Sequence, residues 1–339
     1  MTLKRQLGWG ISGPGDIAER VTAPAIRRAP NCQLVAVARR DLVAATEFAR
    51  RHGALRAYGS VGELVVDSEV DAVYIATPVA RHLPDTLAAA RAGKHVLCEK
   101  PLALTVAEGE EMRRACELAG VVLMPCFYQR FNARHRKIQE LLAEGVVGKV
   151  TAIRVNFSGR NPDRPGNWRQ DPAQSGGGCY IDNGSHAIDL LRLFFGEIIE
   201  VVAFTDTLAA QYRVEDTASS ILRLRGGAHA VVTSWWSTGD PDENRNSVLE
   251  IHGTEGIIIS SPLHDKFSRG QLQVLARGRV ESFEFVESTH ELLLEAFLYA
   301  VTEQQSPPIT AEDGIAVLRV VEAVYESSRT RRAVMTGAV

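Results

Sequence analysis

The sequence predicts an α/β protein with two domains, the first built on a doubly wound parallel sheet and the second α+β. Three observations predict this fold class. Short apolar runs alternate with amphipathic stretches in the first third of the chain, a glycine-rich turn follows the first run, and longer alternating runs fill the second half. A chain of 339 residues is longer than a typical single domain. We therefore predict a first domain over residues 1–124 and a second domain over residues 125–339.

The amino-terminal runs are apolar at nearly every position, which is typical of strands buried on both faces of a parallel sheet. These strands are predicted at residues 7–11, 34–38, 72–77, 95–98 and 121–124. Helices between them are predicted at residues 16–28, 42–52 and 81–92. Another helix is expected to begin at Thr105, where Thr-Val-Ala-Glu has the form of a capping box. Strand and helix thus alternate, as in a doubly wound fold.

The pattern changes after Pro125. Helices are predicted at residues 134–144 and 186–195, and residues 161–178 between them are rich in Pro, Gly, Arg and Asn. Longer alternating runs then predict a mostly antiparallel sheet, with a hairpin that turns at Gly226 and Gly227. Its runs lie at residues 218–225, 228–234, 247–252, 256–260, 271–277 and 280–285. Two helices close the chain, and the last is expected to start at Thr310.

The composition excludes several classes of protein. Apolar residues make up 45% of the chain and charged residues 23%, and the net charge is −3 with no basic block, so neither nucleic acid nor a membrane surface is an expected partner. No apolar run approaches the about 18 residues of a membrane helix, and residues 1–12 lack a long apolar stretch typical of a signal peptide. The five cysteines lack metal-ligand spacing, so we expect reduced core thiols, no metal and a cytoplasmic protein.

Gly-Pro-Gly-Asp-Ile-Ala at residues 13–18 matches the pattern G-x-G-x-x-G/A. The match follows the first predicted strand and opens the first predicted helix, which is the context of a dinucleotide-binding turn. There Gly13 and Gly15 permit a tight turn and close approach of the backbone. The helix that begins with Asp16 and Ile17 presents free N–H groups and a partial positive charge to a pyrophosphate. The alternative is a plain strand-to-helix turn.

The end of the second strand bears on the choice between nicotinamide cofactors. An acidic residue there would bind the ribose 2′-hydroxyl of NAD, whereas an arginine accommodates the 2′-phosphate of NADP. Ala38 stands where the acid is expected, and Arg39 and Arg40 follow it. NADP(H) is therefore favoured over NAD(H). Two alternatives stay open: the arginines are only solvated loop residues, or Asp41 reaches a ribose if the strand ends later.

Two further segments carry side chains suited to proton transfer and to hydrogen bonding with a substrate oxygen. Lys100 follows the strand at residues 95–98, at the edge of the sheet where doubly wound folds bind ligands, and can donate to a substrate oxygen. Asp182 and His186 follow three glycines and are four residues apart, so they share a face on a helical turn. Histidine is a usual proton acceptor for an alcohol. The alternatives are a solvated lysine and a helix start with a capping aspartate and a satisfied histidine.

Together these segments resemble the glucose–fructose oxidoreductase/inositol 2-dehydrogenase/rhizopine catabolism (Gfo/Idh/MocA) family. The resemblance is carried, in the family's order and over nearly the whole chain, by residues 9–18, 75–78 with His82, 93–102 and 176–189. It implies an amino-terminal Rossmann domain and a carboxyl-terminal domain with a large open-faced sheet. It also implies a nicotinamide cofactor and a sugar, cyclic polyol or diol that exchanges a hydride at a CH–OH group.

The resemblance further implies site residues. The family's catalytic positions fall on Lys100, Asp182 and His186. Its cofactor-lining positions fall on Thr77, Pro78, His82 and Glu99, beside Lys100. Trp168 and Arg169 lie in a segment that covers nicotinamide and substrate in some members. The strand tip at residues 38–41 resembles that of NADP-using members such as dihydrodiol and xylose dehydrogenases.

Two other functions stay open on this resemblance, and so does the oligomeric state. Some relatives are glycosidases that use a tightly held NAD only transiently, and one is a repressor that senses nucleotide without catalysis; the complete Lys100, Asp182 and His186 set argues against a sensor. Trp235 and Trp236 are adjacent on a strand and point to opposite faces, so one of them can lie on an exposed sheet face. Together with the association of family members through this sheet, which the resemblance implies, the exposed position predicts a homodimer or homotetramer.

Overall fold

The computed structural model describes residues 6–237, 247–263, 270–285 and 289–337. The chain divides into two compact units, Met1–Cys126 with His290–Ile315, and Phe127–Thr289 with Ala316–Val339. The first unit therefore includes residues 290–315, which the sequence assigns to the second domain. The physical reason is packing at long sequence separation: the ring of Phe297 lies 5.1 Å from that of Trp9 in the first strand, and Arg28 pairs with Glu291 at 2.6 Å.

The first unit contains a six-stranded sheet in which all neighbouring strands are parallel. Its strands are β1 (Leu7–Ser12), β2 (Cys32–Ala38), β3 (Arg56–Tyr58), β4 (Ala72–Ile75), β5 (His95–Cys98) and β6 (Leu123–Pro125). The order β3-β2-β1-β4-β5-β6 is that of a doubly wound dinucleotide fold, so the predicted fold class is confirmed. The sequence did not predict β3, because its three half-buried residues lack an apolar run.

Helices connect these strands and continue through the rest of the chain. They are α1 (Ala23–Arg28), α2 (Leu42–His52), α3 (Val61–Val65), α4 (His82–Arg91), α5 (Val106–Ala119), α6 (Ala133–Ala143), α7 (Pro172–Ser175), α8 (Ser185–Phe195), α9 (Thr289–Thr302) and α10 (Ala311–Thr330). A π-helical turn precedes α1 (Ala18–Thr22) and another precedes α8 (Tyr180–Gly184).

Helix ends follow from local chemistry. Thr105 caps α5 by accepting the Glu108 N–H, but the Glu108 carboxylate bonds to the Leu104 N–H, so the reciprocal capping box predicted there is wrong. The start of α10 does have reciprocal bonds between Thr310 and Asp313.

The thiols of all five cysteines are free and buried, as expected for core thiols: Cys32, Cys98, Cys116, Cys126 and Cys179.

The second unit contains a sheet with nine strands among the described residues. They are β7 (Val150–Asn156), β8 (Ile198–Asp206), β9 (Thr217–Leu224), β10 (His229–Trp235), β11 (Val248–Gly253), β12 (Gly256–Ser261), β13 (Gln271–Ala276), β14 (Arg279–Glu284) and β15 (Val334–Met335). In the order β14-β13-β12-β11-β7-β10-β9-β8-β15, only β7 and β10 pair in parallel. The predicted antiparallel hairpin is β9–β10, and Gly227 supplies a φ of 90° in its turn.

One face of this sheet carries apolar side chains that the described residues leave exposed. Val202, Ile221 and Val231 are aligned across β8, β9 and β10, and their exposed fractions are 42%, 55% and 40%. Phe204, two residues along β8, is 64% exposed. Such a row is typical of a surface that is covered by another molecule.

In the described part of the chain, no helix combines the length and apolar character needed to cross a membrane.

Candidate active site

The glycine-rich turn directly follows β1, and its two glycines have different reasons for being glycine. Gly13 has a φ of 75°, and a Cβ placed on it would lie 2.5 Å from Thr77 Cγ2 and 2.8 Å from Thr77 Cα. No side chain fits there. Among the residues that the structure describes, a Cβ on Gly15 would meet only the Gly13 carbonyl oxygen, at 3.8 Å, so a side-chain atom would fit there. Open space beside bare backbone at a helix start is what a pyrophosphate requires.

The first helical segment begins at this turn. Residues 16–28 are helical without a break, as predicted. The Asp16 carboxylate is exposed and pairs with Arg20 at 2.8 Å, so the backbone N–H of Asp16, and not its side chain, is the group suited to a phosphate. Ile17 is half-buried. The residues at the turn therefore fit a dinucleotide.

The tip of β2 lies beside this turn, since the Gly13 N–H donates to the Ala38 carbonyl oxygen at 3.0 Å. Arg39 and Arg40 are exposed, and neither forms an ion pair within the described part of the chain. The Asp41 carboxylate accepts the Ala44 N–H at 3.1 Å and caps α2. The strand tip thus offers two guanidinium groups without an ion-pair partner among the described residues, while the Asp41 carboxylate is bonded to the start of α2.

Asp85 on α4 joins the ends of two strands, and sequence reasoning missed it. Its carboxylate, 1% exposed, accepts hydrogen bonds from Ser12 at the end of β1 and from Thr77 after β4, both at 3.2 Å. Arg81 donates to it at 2.8 Å. Asp85 therefore fixes the Thr77 side chain against the glycine-rich turn. No sequence signal marks it, because an acid inside an amphipathic helix normally faces solvent.

His82 is buried between two loops, one following β4 and one following β5. Its Nε2 lies 3.0 Å from the Thr77 carbonyl oxygen, and its Nδ1 lies 3.0 Å from that of Pro101. Burial lowers the pKa of His82, although the carbonyl contacts oppose this. Because both ring nitrogens face backbone oxygens, His82 links the loops that carry Thr77 and Lys100. The resemblance implied that it lines the cofactor.

Glu99 and Lys100 leave β5 at the carboxyl edge of the sheet. Glu99 accepts the Tyr74 hydroxyl at 2.5 Å through Oε1 and the Lys100 N–H at 3.2 Å through Oε2. Burial raises the pKa of Tyr74 well above its ordinary value, so this hydroxyl remains a donor. The carboxylate thereby fixes the backbone from which the half-buried Lys100 side chain extends. Pro78 is also half-buried, at the start of the loop before α4.

Asp182 and His186 lie in the second unit, on one helical segment that runs from the π-helical turn into α8. Asp182 is partly exposed, and its Oδ2 lies 3.6 Å from Nε of Arg169. His186 is 2% exposed. π-helical turns within helices are frequent at functional sites. The structure thus places both residues on one helical segment, as the four-residue spacing predicts.

Aromatic side chains hold the imidazole of His186. The Phe157 ring stacks on it, with centroids 5.1 Å apart, and the Tyr128 ring meets it edge-on at 5.2 Å. One turn further along α8, the buried Asp189 receives a forked ion pair from Arg130, with Nη2 to Oδ1 at 2.7 Å. Sequence reasoning missed these contacts, because they join residues far apart in the chain.

Trp168 and Arg169 lie in a short helical turn, residues 168–170, that precedes α7. The Arg169 guanidinium lies over the Trp168 ring, 4.4 Å from its centroid, and the same side chain reaches Asp182. One face of the indole is therefore taken by a cation rather than offered to a sugar.

Among the residues that the structure describes, no group of three His, Cys, Asp or Glu side chains is arranged to hold a metal.

Two family models match the chain. Residues 7–127 match the oxidoreductase family with an NAD-binding Rossmann fold, and residues 135–259 match the GFO/IDH/MocA carboxyl-terminal domain.

Curated relatives are similar along most of the chain. The "D-xylose 1-dehydrogenase (NADP(+)) 2" of Haloferax volcanii is 34% identical over 96% of this chain and 98% of its own. The 1,5-anhydro-D-fructose reductase of Ensifer adhaerens is 33% identical over 96% and 97%. A trans-1,2-dihydrobenzene-1,2-diol dehydrogenase of Mus musculus is 34% identical over 74% and 73%.

Solved structures share the fold over almost the whole chain. The aldose-aldose oxidoreductase of Caulobacter crescentus, complexed with glycerol, has a TM-score of 0.90 and 29% identity, covering 98% of this chain and all 100% of that one. Levoglucosan dehydrogenase, in complex with NADH and levoglucosan, has a TM-score of 0.89 and 25% identity, covering 98% and 100%.

Proposed function

Because the chain belongs to the GFO/IDH/MocA family and is an NAD(P)-dependent oxidoreductase of a sugar or diol, we propose that it prefers NADP(H) and that Lys100, Asp182 and His186 are its catalytic residues. The proposed cofactor site rests on Gly15, where a Cβ would meet only the Gly13 carbonyl oxygen among the described residues, so the bare backbone is accessible to a pyrophosphate. The exposed Arg39 and Arg40 support the preference for NADP(H). The predicted domain boundary at residue 124 and a cytoplasmic location remain part of the proposal.

The first unit supplies the groups that would hold the cofactor. The N–H groups at Gly15, Asp16 and Ile17 suit the pyrophosphate, and Arg39 and Arg40 suit a 2′-phosphate, since charge-assisted bonds to phosphate are strong. The loops of Thr77, Pro78 and Glu99 complete the proposed set, with His82 between them. When bound, the nicotinamide supplies the carbon that accepts or delivers the hydride.

The chain's own residues manage the proton. His186 takes the proton of the substrate hydroxyl during oxidation and returns it during reduction. Its ring is held by Phe157 and Tyr128, which fixes the direction of its nitrogens. Lys100 donates a hydrogen bond to the same substrate oxygen and stabilises its developing charge. Asp182 orients the imidazole or binds a neighbouring hydroxyl.

A sugar or diol with adjacent hydroxyls is the proposed substrate class, and relatives that act on xylose, anhydrofructose and dihydrodiols support it. Arg169 would take part in binding this substrate. Because it pairs with Asp182 and lies on Trp168, it competes with a substrate hydroxyl for that carboxylate and brings a cationic donor to the site. We propose Arg169 as a substrate-contacting residue on this ground, and Trp168 through the part of its ring that Arg169 does not cover.

A panel assay tests the proposal. Aldoses including D-xylose, inositols and cyclic trans-diols are offered with NADP⁺ or NAD⁺, and 1,5-anhydro-D-fructose with NADPH or NADH, while the absorbance of the reduced nicotinamide is followed. We expect stoichiometric turnover with at least one substrate and a preference for the phosphorylated cofactor. Nucleotide binding with no net cofactor turnover on any of these compounds would contradict the proposal.

A further inference from the structure

The start of the helical segment that carries Asp182 is bound by a residue from a distant part of the chain. Three successive N–H groups donate to Glu215: Gly178 to Oε2 at 2.7 Å, Cys179 to the carbonyl oxygen at 3.0 Å, and Tyr180 to Oε1 at 3.0 Å. The first N–H groups of a helix have no partner within the helix. Glu215, just before β9, therefore caps this helix from outside it.

The glycines before this helix are explained by the same contact. A Cβ on Gly178 would lie 1.9 Å from the Glu215 carbonyl oxygen, and one on Gly177 would lie 2.1 Å from the Tyr325 hydroxyl oxygen. Tyr325 itself donates to Glu215 Oε1 at 2.8 Å. Two of the three glycines in the run are thus required by Glu215 and Tyr325, which pack directly on the backbone.

The three partners of the Glu215 carboxylate are all donors. Glu215 is 8% exposed, and a buried carboxylate is costly unless it is hydrogen-bonded. The ionised form offers acceptor oxygens to Gly178, Tyr180 and Tyr325 together, and the positive end of a helix favours an anion. Burial raises the pKa of Glu215, and these hydrogen bonds oppose the rise. The carboxylate and the helix start therefore stabilise each other.

The capped segment leads directly to the proposed catalytic pair. The Asp182 N–H donates to the Gly178 carbonyl oxygen at 3.2 Å, and Ser185 donates to the Asp182 carbonyl oxygen at 3.0 Å. A shift of the helix start would therefore move Asp182 first and His186 one turn later.

We propose that Glu215 is a positioning residue that holds this helix start, and through it Asp182 and His186, in the geometry needed for proton transfer. The inference rests on the roles proposed above for Asp182 and His186. Glu215 does not touch the substrate; it acts through the backbone of residues 178–180.

Three variants test the inference. Glu215→Gln keeps the size of the side chain but turns an amide N–H₂ toward at least one backbone or hydroxyl donor. Tyr325→Phe removes one donor and keeps the carboxylate. The matched control is Asp216→Asn, because Asp216 is also buried and its carboxylate accepts three other backbone N–H groups, those of Leu208, Ala209 and Ala210.

Amide hydrogen exchange of the substrate-free protein gives the first measurement. We expect exchange at residues 178–186 to accelerate about tenfold or more in Glu215→Gln, and by less in Tyr325→Phe, because exchange follows local opening. Asp216→Asn should accelerate exchange at residues 207–210 instead. Wild-type exchange at residues 178–186 in both Glu215→Gln and Tyr325→Phe would overturn the inference.

Kinetics on the substrate that the panel identifies give the second measurement. Glu215→Gln should lower kcat about 10- to 100-fold, since small displacements of reacting groups have effects of this size, while the Kd for NADPH changes by less than about twofold. Asp216→Asn at a similar loss of Tm should keep kcat. An equal loss of kcat in both would overturn the inference, as would no loss in Glu215→Gln.

If Glu215→Gln does not fold, the exchange and kinetics of Tyr325→Phe decide whether the inference holds. If the wild type turns over nothing, the proposed function fails, and exchange alone decides whether Glu215 holds the helix.

Discussion

Gly13 and Thr77 are packed so closely that position 13 has room for no side chain. A Cβ on Gly13 would lie 2.8 Å from the Cα of Thr77, and Thr77 cannot retreat because Asp85 holds its hydroxyl and His82 faces its carbonyl oxygen. The ends of β1 and β4 are therefore held together at the point where the strand order of the sheet reverses. Gly15, two residues on, has no such neighbour.

The two glycines should therefore respond differently to alanine. Gly13→Ala combines a φ of 75° with a clash against backbone, so we expect it to lower the free energy of unfolding by roughly 1–3 kcal/mol or more. Gly15→Ala should leave Tm within about 1–2 °C of wild type but weaken NADPH binding about tenfold or more, ~1.4 kcal/mol, because its Cβ enters the space meant for the pyrophosphate. Thermal unfolding and a nucleotide titration separate the two. Unchanged NADPH affinity in Gly15→Ala would remove the main support for the cofactor site.

The strand tip should set the preference for NADP(H). We expect the variant with Arg39→Ala and Arg40→Ala to lose a preference of at least about tenfold, because each charge-assisted bond to phosphate contributes ~1.5–3 kcal/mol. Affinities for NADPH and NADH are measured by quenching of tryptophan fluorescence. Arg27→Ala with Arg50→Ala is the matched control, since both arginines are exposed on helices of the same unit. Equal affinities of the wild type for the two nucleotides would contradict the assignment.

The exposed row on the second sheet should be a subunit interface. Phe204 is 64% exposed beside Val202, Ile221 and Val231, and burying such a row would favour association. We expect a dimer or tetramer in light scattering and expect Phe204→Asp to shift it toward the 37.0 kDa monomer. Leu118→Asp, at a 90% exposed position on α5, should leave the mass unchanged. A wild-type monomer at micromolar concentration would refute this expectation.

An ion pair joins the helix after the glycine-rich turn to α2 and should make stability depend on pH. Hydrogen bonds from Arg51, more than those from His52, lower the pKa of Glu19 to about 2, against the opposing effect of burial. A depressed pKa contributes stability above about pH 4.5, and the contribution is lost as pH falls toward about 2. Glu19 is partly exposed, so screening limits the effect to about 0.5–1 kcal/mol.

Glu19→Gln is the variant that isolates this pair. Urea unfolding should find it less stable than the wild type at pH 7 and nearly equal to it at pH 2. Glu47→Gln, at an exposed position on α2, the helix that carries Arg51, should match the wild type at both values. A difference for Glu19→Gln that persists undiminished at pH 2 would show that packing, and not charge, accounts for it.

Much of the fold could be predicted, because its signals are local. Continuous apolar runs predicted β1, β2, β4, β5 and β6 within a few residues, and two glycines predicted the β9–β10 turn. Three strands were missed, two of them too short to have a local signal and one, β8, despite its apolar run. The short β3 has only half-buried residues, and β8 and β15 at the far edge of the second sheet were not anticipated. The pairing of residues 290–315 with the first unit depends on contacts such as Phe297 with Trp9, which no local pattern encodes.

The site divides in the same way. Sequence patterns placed Gly13, Gly15 and the Asp182–His186 pair correctly on their elements. Contacts over long sequence separation decide what the pattern leaves open: the bonds of His82 to two loops, the commitment of Asp41 to capping α2, and the capping of a helix by Glu215. A weak signal for the last existed, since two adjacent acids, Glu215 and Asp216, directly precede a strand with one apolar face, where a buried charge is unfavourable unless it is hydrogen-bonded.

The roles of His186 and Lys100 can be separated by one substitution at each. His186→Asn keeps a polar side chain of similar reach but cannot accept and hold a proton, so we expect kcat to fall by roughly 10²–10⁴-fold while NADPH affinity barely changes. The acid limb of the kcat profile for oxidation should disappear with it, because that limb reports the ionisation of the base.

Lys100→Met should also lower kcat but should weaken nucleotide binding as well, because Lys100 extends from the loop that Glu99 and His82 hold beside the proposed cofactor site. Stopped-flow hydride transfer and a nucleotide titration on both variants measure the two effects. Lys94→Met is the matched control: that lysine lies just before β5, at the opposite end of the strand from Lys100, and donates to the carbonyl oxygens of Asp67 and Val70. It should change stability without changing kcat. Near-wild-type turnover in His186→Asn would reduce His186 to a structural residue between Phe157 and Tyr128, and the base would then have to be Lys100 or a bound water.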